Sequence, residues 1–186
     1  MIREGIKLRL FHGTRAAFTA FSIEYPGTGE AGEIRAVWFT EQLSGAQNHS
    51  ARTKQPGHRR VYECELHPET LVLLADTPLT QQPVVMERLR TVLPVSISVH
   101  GFYDELFCDY FNYLGVENTV AGDRFKKQRE LDLLRSAGID AIYDYERGGQ
   151  DNYQHGATTV VLAPEKIRIV TIHESQSPGV WSVAPS

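Results

Sequence analysis

Leu10-Phe11-His12-Gly13-Thr14 closes the first apolar run of the chain, and its reading decides how the remainder is organised. Ahead of it Ile6, Leu8 and Leu10 alternate with Lys7 and Arg9, the period-two pattern of a half-buried strand. His12 therefore falls at a strand end. Gly13 allows a ligand or another backbone to come close, or a positive φ, and Thr14 supplies a hydroxyl beside it. Two readings follow: the edge of a binding site, or a histidine satisfied by a loop carbonyl with Gly and Thr in an ordinary turn.

A chain of 186 residues suits one domain and can bury a sizeable core without metal or disulfide. With 41% hydrophobic and 23% charged residues and a net charge of -4, the composition is that of a soluble globular protein and does not nominate a nucleic-acid binder. Cys64 and Cys108 each lie in an apolar segment, which favours buried free thiols and a reducing compartment over a bridge. Neither a Sec signal nor a membrane span is expected, since no apolar run approaches about 18 residues. The expected location is the cytoplasm, or a target-cell cytosol reached by a route that needs no hydrophobic signal. Seven histidines are scattered singly, without metal-ligand spacing, and no Gly-rich loop leads into Lys-Ser/Thr.

Along the chain, Phe18 and Phe21 are spaced to anchor one helical turn, and Tyr25 to Glu33, with three glycines and a proline, reads as a loop. Ala36 to Thr40 is a short aromatic strand with Trp38 and Thr40 opposite Val37 and Phe39. Thr40 then caps a helix over 41–51 that turns Leu43, Ala46 and Ala51 inward. Lys54, His58, Arg59 and Arg60 make a basic connector. Strands follow at 61–66 and 71–74, then a helix through Met86 to Arg90 that Pro94 would stop. An aromatic helix is expected over 101–114, and a strongly periodic one over 123–136 with Phe125, Gln128, Leu131 and Leu134 inward, ended by Gly138. The last strands are 139–143, 158–162 and 167–172, with a polar loop from Glu146 to Gly156. The result is one α+β domain over 1–174, with 175–186 as a flexible tail.

Taken in order, four motifs resemble the ADP-ribosyltransferase-like family, in particular its bacterial and phage branch. They are His12-Gly13-Thr14, Trp38-Phe39-Thr40 with the helix behind it, Ala137-Gly138-Ile139-Asp140-Ala141-Ile142, and Val160-Val161-Leu162-Ala163-Pro164-Glu165-Lys166-Ile167. The resemblance covers residues 8 to 172. It implies a split antiparallel β-sandwich with flanking helices that holds NAD in its cleft, and a transferase of the effector or toxin kind. Gly13 would offer its backbone to the nicotinamide carboxamide, His12 would bond the adenosine-side ribose, and Thr14 and Thr40 would line the pocket. Trp38 or Phe39 would stack on the nicotinamide.

Cleaving the nicotinamide–ribose bond passes through an oxocarbenium-like state, which a carboxylate usually stabilises. The family's glutamate would stand at the start of the strand read as Thr158-Thr159-Val160-Val161, and this chain has Ala157 and Thr158 there. Asp151 and Gln154, in the preceding loop, would place the acceptor and partly substitute; Glu63 and Glu65 lie in another strand and Glu146 farther back. His12, Asp151, Gln154 and Thr158 are thus the candidate catalytic residues. His49 stands near where relatives have Tyr. The resemblance implies NAD as substrate, no metal, and a protein acceptor in preference to nucleic acid. The alternatives are a non-catalytic module that binds NAD, ADP-ribose or a protein partner, and 2′-phosphotransfer from RNA ends, for which Arg15, Arg35 and Arg59 would have to meet phosphates.

Overall fold

A computed structural model describes residues 8–24, 34–93, 120–146 and 155–184, with side chains of the 120–127 helical turn excepted. The chain is α+β. Among the described residues its strands are β1 (Leu10–Thr14), β2 (Val37–Thr40), β3 (Arg60–Leu66), β4 (Val72–Leu74), β5 (Ala141–Tyr143), β6 (Thr158–Val161), β7 (Ile167–Ser177) and β8 (Val180–Val183). They form one mixed sheet of eight strands in the order β4-β5-β6-β2-β1-β3-β7-β8. The β4–β5 pair is parallel and the other pairs are antiparallel. The helices are α1 (Leu43–Arg52), α2 (Pro83–Arg90) and α3 (Val120–Ser136).

Hydrophobic alternation along the strands divides the core between the two faces of this sheet. Leu73, Ile142 and Val160 meet Val85 and Leu89 of α2 and Leu131 and Leu134 of α3. On the other face Leu10, Val37, Phe39, Tyr62 and Val161 pack with Phe18 and Phe21. A third group, Phe11, Ala46 and Val61, lies under α1.

Several boundaries differ from the expectation. The first strand runs through the His-Gly-Thr triplet, so His12 is a mid-strand residue, because β3 pairs with β1 from Leu10 to Thr14. Phe18 and Phe21 form no helical turn; they lie in an irregular segment and reach the core by ring contacts, Phe18 stacking on Tyr62 at 4.2 Å. The N-cap of α1 is Gln42, not Thr40, and the helix turns Gly45, Ala46 and Ser50 inward while Ala51 is exposed. Ser175 onward is no tail: β7 continues to Ser177 and pairs with β8, since Trp181 packs against the Phe11 group and under the Arg59 guanidinium, 5.3 Å from its ring. The helix expected over 101–114, with Cys108, lies outside the described residues, as do Pro94 and most of the Glu146–Gly156 loop.

Candidate functional site

The sheet is weakest at one place. β1 and β2 are matched at Phe11 and Thr40 only, whereas β1 matches β3 over five residues and β2 matches β6 over four. His12 is the next residue of β1, and its ring lies among aromatic side chains. Its Nδ1–H donates to the carbonyl of Trp38 at 2.9 Å, so a side chain replaces a missing ladder bond. A carbonyl can only accept, which fixes the proton on Nδ1 and leaves Nε2 as the acceptor of the neutral ring. Burial chiefly, with the nearby His49, holds the His12 pKa below the ordinary histidine value; the Trp38 bond opposes both. Around the ring stand Phe21 at 5.3 Å and Phe39 at 5.7 Å, both edge-on, with Phe18 at 6.4 Å.

The neighbouring triplet residues serve packing as well as any ligand. A Cβ on Gly13 would lie 1.8 Å from the carbonyl oxygen of Ala46, so α1 can cross β1 only over a glycine. Thr14 Oγ1 accepts the N–H of Ala16 and shapes the turn out of the strand. In β2, Trp38 meets Tyr145 edge-on at 5.4 Å, and its Nε1 is buried without a hydrogen-bond partner among the described residues. Phe39 is in the core on the His12 side. Thr40 is buried, and its hydroxyl donates to the carbonyl of His155.

Register then brings Thr40 opposite Thr158 and Phe39 opposite Thr159, so His12, Trp38, Phe39, Thr40 and Thr158 share three adjacent strands. Asp151 and Gln154 lie outside the described residues. Two carboxylates converge on the start of β6. The hydroxyl of Thr158 donates to Glu146 Oε2 at 3.3 Å. This contact depends on Asp144, whose φ of 56° turns the chain after β5 so that the Tyr145 N–H reaches the Thr158 carbonyl. Glu41, directly after Thr40, takes the hydroxyl proton of Tyr143 into a 2.7 Å hydrogen bond through Oε1 and accepts the Ala157 N–H at 3.1 Å through Oε2. Burial first, and then Glu41, push the Tyr143 pKa up, which keeps the phenol protonated as a donor. Tyr145 is shifted the same way, by burial and by the charges of Glu130 and Glu146.

Sequence spacing places Glu146 only farther back along the loop and Glu41 only within a helix. Both are within a few residues of a motif, yet their meeting at β6 depends on β5 and β6 pairing and could not be read from spacing. Glu63 and Glu65 are engaged elsewhere, Glu63 by Arg9 and His173 and Glu65 by Arg168. Three of the arginines are also committed: Arg15 donates to the carbonyls of Ser50 and Ala51 and Arg59 to that of Gln47, both in α1, while Arg60 pairs with Glu174.

A separate cleft of about 740 Å³ runs from Thr19–Glu24 to Asp140 and Glu165. It does not include His12 or Thr158. Its polar floor is occupied with structural bonds, Asp140 accepting the Leu71 N–H and Arg135 donating to Arg35 O and Leu162 O. Among the described residues no group of three or more metal-binding side chains converges, and no helix is long and apolar enough to cross a membrane. Compared with family models, with curated proteins and with solved structures, the chain matches none of them.

Proposed function

We propose that the chain is an NAD-dependent ADP-ribosyltransferase that breaks the bond between nicotinamide and ribose and passes ADP-ribose to a protein acceptor. The observation that carries this reading is the seam between β1 and β2 beside His12, held by one register match, with a carboxylate, Glu146, held by Thr158 two strands away. A seam with so little strand pairing is the place for a flat dinucleotide to meet backbone groups and the aromatic side chains of β2. The neutral His12, its Nε2 an acceptor, suits a ribose hydroxyl. Glu146 is the charge available to the developing oxocarbenium at the site where a glutamate is otherwise missing, and nicotinamide leaves as the acceptor nucleophile attacks and gives up its proton.

Purified protein incubated with NAD and a cell lysate is expected to release nicotinamide, read by chromatography. Glu146→Gln is expected to lower the rate by about 100-fold or more, and His12→Ala to weaken NAD binding. Absence of nicotinamide release with any acceptor mixture overturns the transferase reading.

A second reading has its own observation. Thr158 cannot supply negative charge, and the Phe18, Phe21 and Phe39 rings close around His12. Both favour a module that binds NAD, ADP-ribose or a partner without turnover. NAD then raises the melting temperature while nicotinamide stays bound to ribose. RNA 2′-phosphotransfer is the weakest reading, because Arg15 and Arg59 already spend their guanidinium groups on α1 carbonyls.

A further inference from the structure

The connector between α1 and β3 gathers positive charge that the fold does not consume. Residues 42–62 carry Arg52, Lys54, Arg59 and Arg60 without a single Asp or Glu, in a chain whose net charge is -4. Arg59 and the nearby Arg15 are structural, their guanidinium groups capping carbonyls toward the end of α1. Arg60 is neutralised by Glu174 at 2.6 Å, the one carboxylate bonded to this group among the described residues. Arg52, Lys54 and His58 are exposed and make no hydrogen bond or ion pair among the described residues. The loop that bears them is held at both ends. The Thr53 N–H and hydroxyl both donate to the His49 carbonyl, and the Ser175 N–H donates to that of Arg59. Between these ties Gly57, at a φ of 124°, lies so close to Arg15 that a Cβ would come 2.8 Å from the Arg15 carbonyl oxygen. Exposed basic side chains thus stand on a pinned loop beside two guanidinium groups, and a surface of that kind attracts anions.

We propose that this loop is a docking surface for an acidic protein segment, a run of Asp and Glu in a partner chain. Charge complementarity carries the assignment. A peptide with several carboxylates meets Arg52, Lys54 and His58 locally, and the planar Arg52 guanidinium suits a carboxylate in two-point contact. Nucleic acid fits less well. Bases of a single strand stack on exposed aromatic rings, and residues 52–60 hold no Phe, Tyr or Trp, while the ring of Trp181 is covered by the Arg59 guanidinium at 5.3 Å. The negative remainder of the chain also repels a long polyanion. The surface stands independently of the NAD reading, since it is defined by binding and not by turnover.

Fluorescence anisotropy of a short labelled peptide of alternating Asp and Glu, titrated with the full chain, tests the surface; a Lys-rich peptide and a single-stranded oligonucleotide of equal length are the comparisons. The acidic peptide is expected to bind one per chain and to bind less tightly as salt is added, and the Lys-rich peptide not to bind. Arg52→Glu combined with Lys54→Glu is expected to weaken the acidic peptide by about 10-fold or more with an unchanged thermal melt, whereas Arg129→Glu, at an exposed position of α3, leaves binding as it was. Should the double variant unfold, Lys54→Gln alone decides, with an expected loss of about 3-fold. No binding of the acidic peptide at millimolar protein overturns the proposal, and so does binding that the charge reversal leaves intact. Tighter binding of the oligonucleotide than of the acidic peptide overturns it as well and assigns the loop to nucleic acid.

Discussion

Single atoms decide much of this molecule. The triplet His12-Gly13-Thr14 shows it three times: a ring nitrogen closing a gap in a ladder, a missing Cβ admitting a helix, and a hydroxyl shaping a turn. Gly13→Ala drives a methyl group into the Ala46 carbonyl, which has no room to give. It is expected to cost about 3 kcal/mol or more, seen as a fall in melting temperature of roughly 6 °C or more. Cys64 makes a quieter test. Burial first, then the neighbouring Glu63 charge, push its thiol up to about 12. Since only the thiolate reacts, Cys64 is expected to resist iodoacetamide in the native protein at pH 8 and to alkylate once unfolded, as read by peptide mass. The sequence foresaw this thiol as a buried free cysteine, because apolar alternation through Val61-Tyr62-Glu63-Cys64 marks which side faces inward. It did not foresee that Gly13 serves α1, because the crossing partner is more than thirty residues away.

At the scale of elements, two segments are held by single side chains. Tyr62, 1% exposed, reaches from β3 to the irregular segment 15–24, where its oxygen accepts the Phe18 N–H at 3.0 Å and its hydroxyl proton is within reach of the Ala16 and Phe18 carbonyls. Tyr62→Phe leaves that N–H unpaired, is expected to cost about 1–3 kcal/mol, and should speed proteolytic nicking within 15–24. Gln82, at the entry to α2, ties down the edge strand β4. Its Nε2 donates to Leu74 O at 2.8 Å and Thr77 O at 2.7 Å, and its Oε1 accepts the Leu74 N–H at 2.8 Å. Gln82→Ala is expected to cost about 2–3 kcal/mol and to accelerate exchange of the Leu74 amide. The helices over 83–90 and 120–136 were legible from their 3.6-residue period, and the strands from alternation. The last hairpin was not, because β8 is short and largely exposed and is ordered by pairing with β7 and by the packing of Trp181.

The whole molecule responds to acid in two stages, both of the same sign. The folded His12 has a lowered pKa, so over the interval below about 6.5 the unfolded chain binds the extra proton. Stability contributed by the neutral ring is complete above that point and is lost as pH falls toward the folded value. Glu63 follows lower down. Burial alone would raise its pKa, but hydrogen bonds and charge from Arg9 and His173 outweigh it and hold the carboxyl below the usual range. Its contribution is present above the unfolded carboxylate pKa and disappears as pH falls through the folded one. Denaturant midpoints measured from pH 7 downward are therefore expected to fall in two steps, and His12→Gln should remove the first while leaving the second. By itself the sequence determined the α+β class, the helix and strand segments with a local period and the buried thiol, because periodicity and turn chemistry are local. Tertiary structure alone decided that β1 and β2 share a single register match beside His12, that Glu146 and Glu41 meet at the start of β6, and that α1 crosses β1 over Gly13. Each of these depends on which strands and helices become neighbours, and the pairing is settled by packing between residues far apart in the chain.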